Sequence, residues 1–176
     1  MNRNVTAVIL CEDLQSQVLL RRYLKARGFA RIRPLPLPAS CGEQYVRGNY
    51  AREVKAQRTS SVRQVLVVHI DADRGTVENR HQQLEKQLDT HLLDPRSPDE
   101  SIALVVPRYE TETWLHHFHG RENVVETEIY NKFDNKEATA AQPTVLALID
   151  LVDGKTAAPN NLPSLLMAVS ELRRLP

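Results

Sequence analysis

The chain has 176 residues, 41% of them hydrophobic, with 23 Lys/Arg against 22 Asp/Glu and a formal net charge of +1. That length suits one domain with a small appendage and is enough to bury a core, while no apolar run approaches the roughly 20 residues of a bilayer-spanning helix. The start, MNRNVTAVIL, leads into a strand without a small-residue cleavage site, and two cysteines (Cys11 in a predicted strand, Cys41 in a predicted loop) make neither a disulfide framework nor a zinc site. No signal peptide and no membrane association are read, and the expected compartment is the cytoplasm. The balanced charge hides an asymmetry: residues 1–63 hold 12 Lys/Arg against 4 Asp/Glu, and residues 64–176 hold 11 against 18. Such a skew fits a polyanion on one face and an acidic, cation-binding site elsewhere, or simply solvated helix faces.

In chain order, Val5–Cys11 reads as a first strand, and Leu14–Arg27 as a helix whose stripe includes Leu14, Val18, Leu20, Tyr23 and Leu24, stopped by Gly28. Ala30–Pro38 (ARIRPLPLP) reads as an edge strand, because Pro34, Pro36 and Pro38 would remove three donors from one side. Residues 39–49 read as a loop or irregular helix start, and Tyr50–Gln57 as a basic helix. Val65–Ile70 is an apolar strand, Thr76–His91 a helix, residues 92–100 a turn-rich connector and Ile102–Val106 a strand closed by Pro107. A helix then starts near Glu110, and Thr144–Val152 and Ser164–Arg174 read as two more. The order predicts an α/β fold with a mostly parallel four-stranded sheet, ordered 2-1-3-4 and flanked by helices. Residues 1–120 would form the main domain, and residues 121–176 a helical extension packed on it.

The most informative stretch is VLVVHIDADRG, Val65 to Gly75, where a buried strand ends in Asp71 and Asp73. Open α/β sheets place ligands at the carboxyl ends of their strands. The first strand also ends in acid, at Glu12 and Asp13. With the two strands adjacent, Glu12, Asp71 and Asp73 meet at one edge, where repulsion calls for a proton or a hard divalent cation such as Mg²⁺ or Mn²⁺. Metal-assisted hydrolysis of a phosphodiester follows from such a site. The alternative for the aspartates is helix capping.

A glutamate after the first strand and an Asp-x-Asp-Arg-Gly after the third resemble the TOPRIM domain of topoisomerases, bacterial primases and OLD-family nucleases, over about residues 5–118. Glu12 matches the family glutamate, Asp71 and Asp73 the aspartates, and Arg74 a following arginine. Many such domains have glycine where this chain has Asp13, which would add a ligand or cap the helix. VILCEDLQSQVLLRRYL, SCGEQYVRGNYAREV, VPRYETETWL and PSLLMAVSELRRL resemble small stand-alone TOPRIM proteins of bacteria, encoded beside OLD-like or ABC-type ATPases in phage-defence loci. That resemblance implies further carboxylates, Glu110 and Glu112, near a metal site of Glu12, Asp71, Asp73 and Glu112 binding one or two ions. It also implies a nuclease acting in antiviral defence.

Among the remaining residues, Arg47, Arg52, Lys55 and Arg58 on the basic helix are the candidates for contacting nucleic acid. Lys132 and Lys136 are candidates for meeting phosphate. Trp114, Leu115 and His69 read as core, and His116, His117 and His119 as a helix C-terminal turn. The expected partners are DNA or RNA, an OLD-like or ABC-type ATPase, and a second copy of the chain. Two other readings stay open: a non-enzymatic partner or sensor subunit of an ATPase, and a phosphatase or phosphotransferase. The last rests on Asp71-Ala-Asp73-Arg-Gly-Thr76, one residue too long for an Asp-x-Asp-x-Thr nucleophile loop.

Overall fold

Strict alternation in the central strands decides the layers. The computed structural model describes residues 3–39 and 42–176, so the loop predicted around Cys41 lies partly outside the described residues. Strand β1 (Arg3–Leu10) sends Val5, Ala7 and Ile9 to one side and Val8 and Leu10 to the other. Strand β3 (Gln64–His69) does the same with Val65 and Val67 against Leu66 and Val68, and β4 (Ile102–Val105) with Ala103 and Val105 against Ile102 and Leu104. A sheet apolar on both faces must be covered on both. Helices α1 (Leu14–Ala26), α4 (Thr111–Phe118), α5 (Glu137–Val152) and α6 (Pro163–Leu172) close the first face, α2 (Glu43–Thr59) and α3 (Val77–Thr90) the second. With β2 (Phe29–Pro34), the strands form one parallel sheet in the order β2-β1-β3-β4, the order expected from the sequence. Val124, Tyr130, Leu148 and Leu165, all beyond residue 120, belong to the same apolar cluster as Ile9 and Val67. Among the described residues, no helix is long and apolar enough to cross a membrane.

Both edges of the sheet are handled by polar chemistry. At β2 the strand ends at Pro34, so the expected edge strand to Pro38 is too long. Leu35 N–H donates to Ile9 at 2.8 Å, so the donor that Pro34 lacks faces outward, as an exposed edge favours. Pro36 and Pro38 lie past the strand. At β4, the Glu171 carboxylate accepts from Leu104 N–H at 2.9 Å and the Arg96 guanidinium donates to Ile102 C=O at 2.8 Å. Arg96 and Glu171 also pair with each other, so α6 and the connector supply the bonds that a fifth strand would make.

Two helices start earlier than expected. α2 begins at Glu43, not Tyr50, because Val46, Tyr50 and Val54 form a buried stripe of i, i+4 spacing that outweighs Gly48. α5 begins at Glu137, not Thr144, and runs through Pro143. The prolyl ring removes one i→i−4 bond, while burial of Ala140 and Ala141 keeps the first turns in place. Replacing Pro143 with alanine restores that bond, so Pro143→Ala is expected to raise the unfolding free energy in urea by about 1–3 kcal/mol. An unchanged or lowered midpoint would show that α5 is shaped by the proline.

Candidate active site at the carboxyl edge of the sheet

The pairing of β3 with β4 outlasts the strands. Ile70 N–H donates to Val105 and Ala72 to Pro107 (2.9 Å), which carries the chain past the sheet to Ala72; it turns at Asp73, whose N–H donates to Tyr109 (3.1 Å) in an isolated antiparallel bridge. On its other side, Asp71 N–H donates to the Glu12 carboxylate, which takes the place that a carbonyl of a longer β1 would occupy. Glu12 and Asp71 are thereby fixed side by side. Asp13, next along, caps α1 by accepting from Ser16 N–H at 2.9 Å. Thr76 caps α3, accepting from Asn79 N–H at 3.1 Å, so neither Asp71 nor Asp73 is consumed in starting that helix.

Beneath Asp71 lies a buried relay. Thr111 Oγ1 stands 3.3 Å from Asp71 Oδ1, 2.9 Å from His69 Nε2 and 3.4 Å from Ser16 Oγ. Burial holds the His69 imidazole down to about 4, so it is neutral at physiological pH. One hydroxyl has one proton. If Thr111 gives it to Asp71, His69 must present Nε2–H, and its bare Nδ1 is indeed buried with no hydrogen-bond partner among the described residues. His69 is thus a core histidine, as expected, and one that orients a carboxylate neighbour.

Asp73 faces away from this pair. Its backbone has φ 51° and its side chain is 65% exposed, bonded to Arg80 Nη2 at 2.9 Å. Arg80 is buried and also holds Gln83 at 2.9 Å and Glu43. Sequence reading missed Arg80, although helical side chains lean toward the N-terminus, which aims a second-turn arginine of α3 at the preceding loop. Arg74 is exposed and lines the openings on both sides of Asp73.

From α4, Glu110 accepts from Tyr130 N–H, which ties the segment after residue 120 to the site. Glu112 is 2% exposed, and its Oε1 has no hydrogen-bond partner among the described residues. It opens on a cavity of about 130 Å³ lined also by Asp13, Asp134, Glu137 and Lys132, four carboxylates against one ammonium. Lys132, not Lys136, reaches this cavity; Lys136 is exposed at the N-cap of α5. The α4 histidines are engaged separately, His116 on Asn131 C=O and His119 on Ala140 C=O. Trp114 and Leu115 are core.

Charge accumulates here faster than it is neutralised. Burial pushes Glu12 up to about 7, with Asp73 and Asp13 adding to the rise while Asp71 N–H and Arg80 oppose it. Burial, then Glu12, Asp13, Glu112 and Asp73, hold Asp71 well above the usual carboxylate range. Glu112 is raised to about 7 by burial, then by Glu110 and Asp13, against Lys132. The donors are all hard oxygens, and Glu112 Oε1 has no hydrogen-bond partner among the described residues, so the residues fit Mg²⁺ or Mn²⁺ in chemistry. Among the described residues, no three His, Cys, Asp or Glu side chains are gathered closely enough to share an ion, and Asp73 is held by Arg80.

The basic helix fares differently from expectation. Arg47 pairs with Glu43 at 3.4 Å and Arg52 with Glu53 at 3.0 Å. Arg58 grips Glu100 and the carbonyls of Asp94 (2.9 Å) and Pro95 (3.1 Å), pinning the connector before β4. Lys55 is exposed. Tyr50 is core, and Tyr45 OH donates to Pro36 C=O at 2.7 Å.

Two outcomes test this geometry. Thr111→Val strands Asp71 Oδ1 and His69 Nε2, and is expected to cost about 1–3 kcal/mol in urea unfolding, with Thr111→Ser recovering most of it; a neutral Thr111→Val would dismiss the relay. A carboxyl whose folded pKa lies above its unfolded value favours the fold while protonated, and loses that contribution as the pH rises through the folded pKa. For Glu112 the loss runs from its ordinary 4.5 to about 7. Wild type should therefore lose stability relative to Glu112→Gln across that window. Comparing the two cancels His69, whose lowered pKa acts in the opposite direction, and a pH-independent difference would refute the assignment. Comparison with known protein families, curated proteins and solved structures finds no match to this chain.

Proposed function

We propose that this chain is a TOPRIM-type nuclease that hydrolyses phosphodiester bonds in DNA or RNA with Mg²⁺ or Mn²⁺. The observation that carries the reading is the Glu12–Asp71 pair at the carboxyl edge of a 2-1-3-4 parallel sheet: the Asp71 backbone N–H holds the Glu12 carboxylate beside the Asp71 residue, and both carboxyls are raised in pKa. Asp13, Asp73 and Glu112 add negative charge to that of the pair, and a divalent cation is the natural neutraliser of it. Glu12 and Asp71 would hold it, flanked by Asp73 and Glu112, and the bound ion supplies Lewis acidity and a more acidic water. Glu12 Oε1 is engaged by Asp71 N–H, which leaves Oε2 as the atom that would either meet the ion or, where Asp71 alone holds it, accept the proton of the attacking water. Thr111 orients Asp71 from below. Lys132, facing the same cavity as Glu112, supplies positive charge for a phosphate.

The resemblance to stand-alone TOPRIM proteins supports a setting in cytoplasmic antiviral defence, with an OLD-like or ABC-type ATPase as partner. The Asp73–Arg80 ion pair favours one second reading, a module that is silent alone and acts as a partner or gated subunit of that ATPase. The test is cleavage of plasmid DNA and total RNA with Mg²⁺ or Mn²⁺. Wild type is expected to cut, chelation to stop it, and Asp71→Asn to slow it by about 10²–10³-fold while leaving the fold intact. Equal cleavage by Asp71→Asn would end the assignment. No cleavage by wild type alone, with cleavage on adding a copurifying ATPase, would select the gated reading.

A further inference from the structure

We infer that the nucleic-acid strand leaves the acidic edge along α1, in a groove between α1 and α5, and not along the basic helix α2. The inference rests on the nuclease reading of the edge for the identity of the occupant. Leu14, Val18, Arg21, Arg22 and Lys25 follow one another at i, i+4, i+7, i+8 and i+11 down α1, which puts them on one stripe. Leu14 borders the cavity that contains Asp13 and Glu112. The next concavity, about 380 Å³, is lined by Val18, Arg21, Arg22, Lys25 and Ala138 of α5. A third, about 420 Å³, shares Arg21 and Lys25 and reaches Gly28 and the start of β2. The three adjoin in sequence and carry the surface from the carboxylates to Lys25, about 18 Å along the helix.

Charge sorts the two basic helices. Neither of the outer concavities is lined by an acid. Among the described residues, Arg21, Arg22 and Lys25 take part in no ion pair, and Arg22 bonds only to the neutral Gln142, at 2.8 Å. All three are exposed. On α2, by contrast, Arg47, Arg52 and Arg58 each already have a carboxylate. A guanidinium spent on a carboxylate must lose that partner before it releases a phosphate counterion, whereas an unpaired one gains directly.

The chemistry names the occupant. Cations one helical turn apart on an aliphatic floor suit a repeating phosphate backbone without base readout. An acidic polypeptide has no reason to begin at a pocket of carboxylates, and a lipid surface does not enter a groove. The scissile phosphate sits at the acids, and the flanking phosphates continue along α1.

The test is fluorescence anisotropy with labelled single-stranded and duplex oligonucleotides of about 20 nucleotides, in EDTA, from roughly 50 to 200 mM salt. The triple variant Arg21→Gln/Arg22→Gln/Lys25→Gln is expected to lose at least about tenfold in affinity and about two to three units of salt slope. Arg52→Gln/Lys55→Gln on α2 is expected to match wild type, all three proteins having the same unfolding midpoint. Weakening by the α2 variant alone, no oligonucleotide binding by wild type, or equal displacement by polyglutamate would each overturn the groove. Cleavage assays separate this from the enzymatic reading. Binding lost in the triple variant without cleavage by wild type, alone or with a copurifying ATPase, keeps the groove and discards the nuclease; wild-type cleavage with an unchanged KM in the triple variant does the reverse.

Discussion

Desolvated negative charge at the carboxyl edge of the sheet is the constraint around which the rest is arranged. The Asp71 backbone N–H holds the Glu12 carboxylate, and burial raises the pKa values of both residues. Neighbouring buried carboxylates are tolerated only while a proton or a counterion offsets them. The protein supplies very little offset of its own: Arg80 is directed to Asp73 and Glu43, and Lys132 faces the cavity on the Glu112 side. The frame that keeps the acids together is correspondingly stiff, with the strand arm on one side, the Thr111–His69 relay below and the capped start of α1 on the other.

The same logic explains how the positive charge is distributed. Arginines on α2 and in the connector serve the architecture. Arg58 fastens residues 94–100 to α2, and Arg96 with Glu171 finishes the open edge of β4. Their guanidinium forks suit several acceptors at once, and carbonyls and carboxylates absorb them. Beside Arg21, Arg22 and Lys25 the neighbouring surface comes from Ala138 and Gln142 of α5, and these basic residues stay open. The even net charge of the chain is the sum of these separate local balances.

Much of this was legible in the residues. Two-sided apolar alternation in Val65–His69 and Val5–Leu10 marked buried parallel strands, and the acids at their ends marked the site. Thr76, read as the first residue of α3, is its cap, and this releases Asp71 and Asp73 from that duty. Pro34 at an outward-facing position of β2 was visible as well. Short-range signals misled where burial outweighed them: Gly48 inside α2 and Pro143 inside α5 are local helix breakers, overridden by the stripes of Val46, Tyr50 and Val54 and of Ala140 and Ala141.

Sequence by itself determined the element order, the strand order and the acids at the ends of β1 and β3, because periodicity and strand-end chemistry are properties of neighbouring residues. Which charges remain available was decided only by the tertiary structure. Arg80 lies seven positions from Asp73, Glu100 lies 42 from Arg58 and Glu171 lies 75 from Arg96. A cation's partner, and a carboxylate's loss of water, depend on what the fold brings within a few ångströms, and no local pattern records that distance.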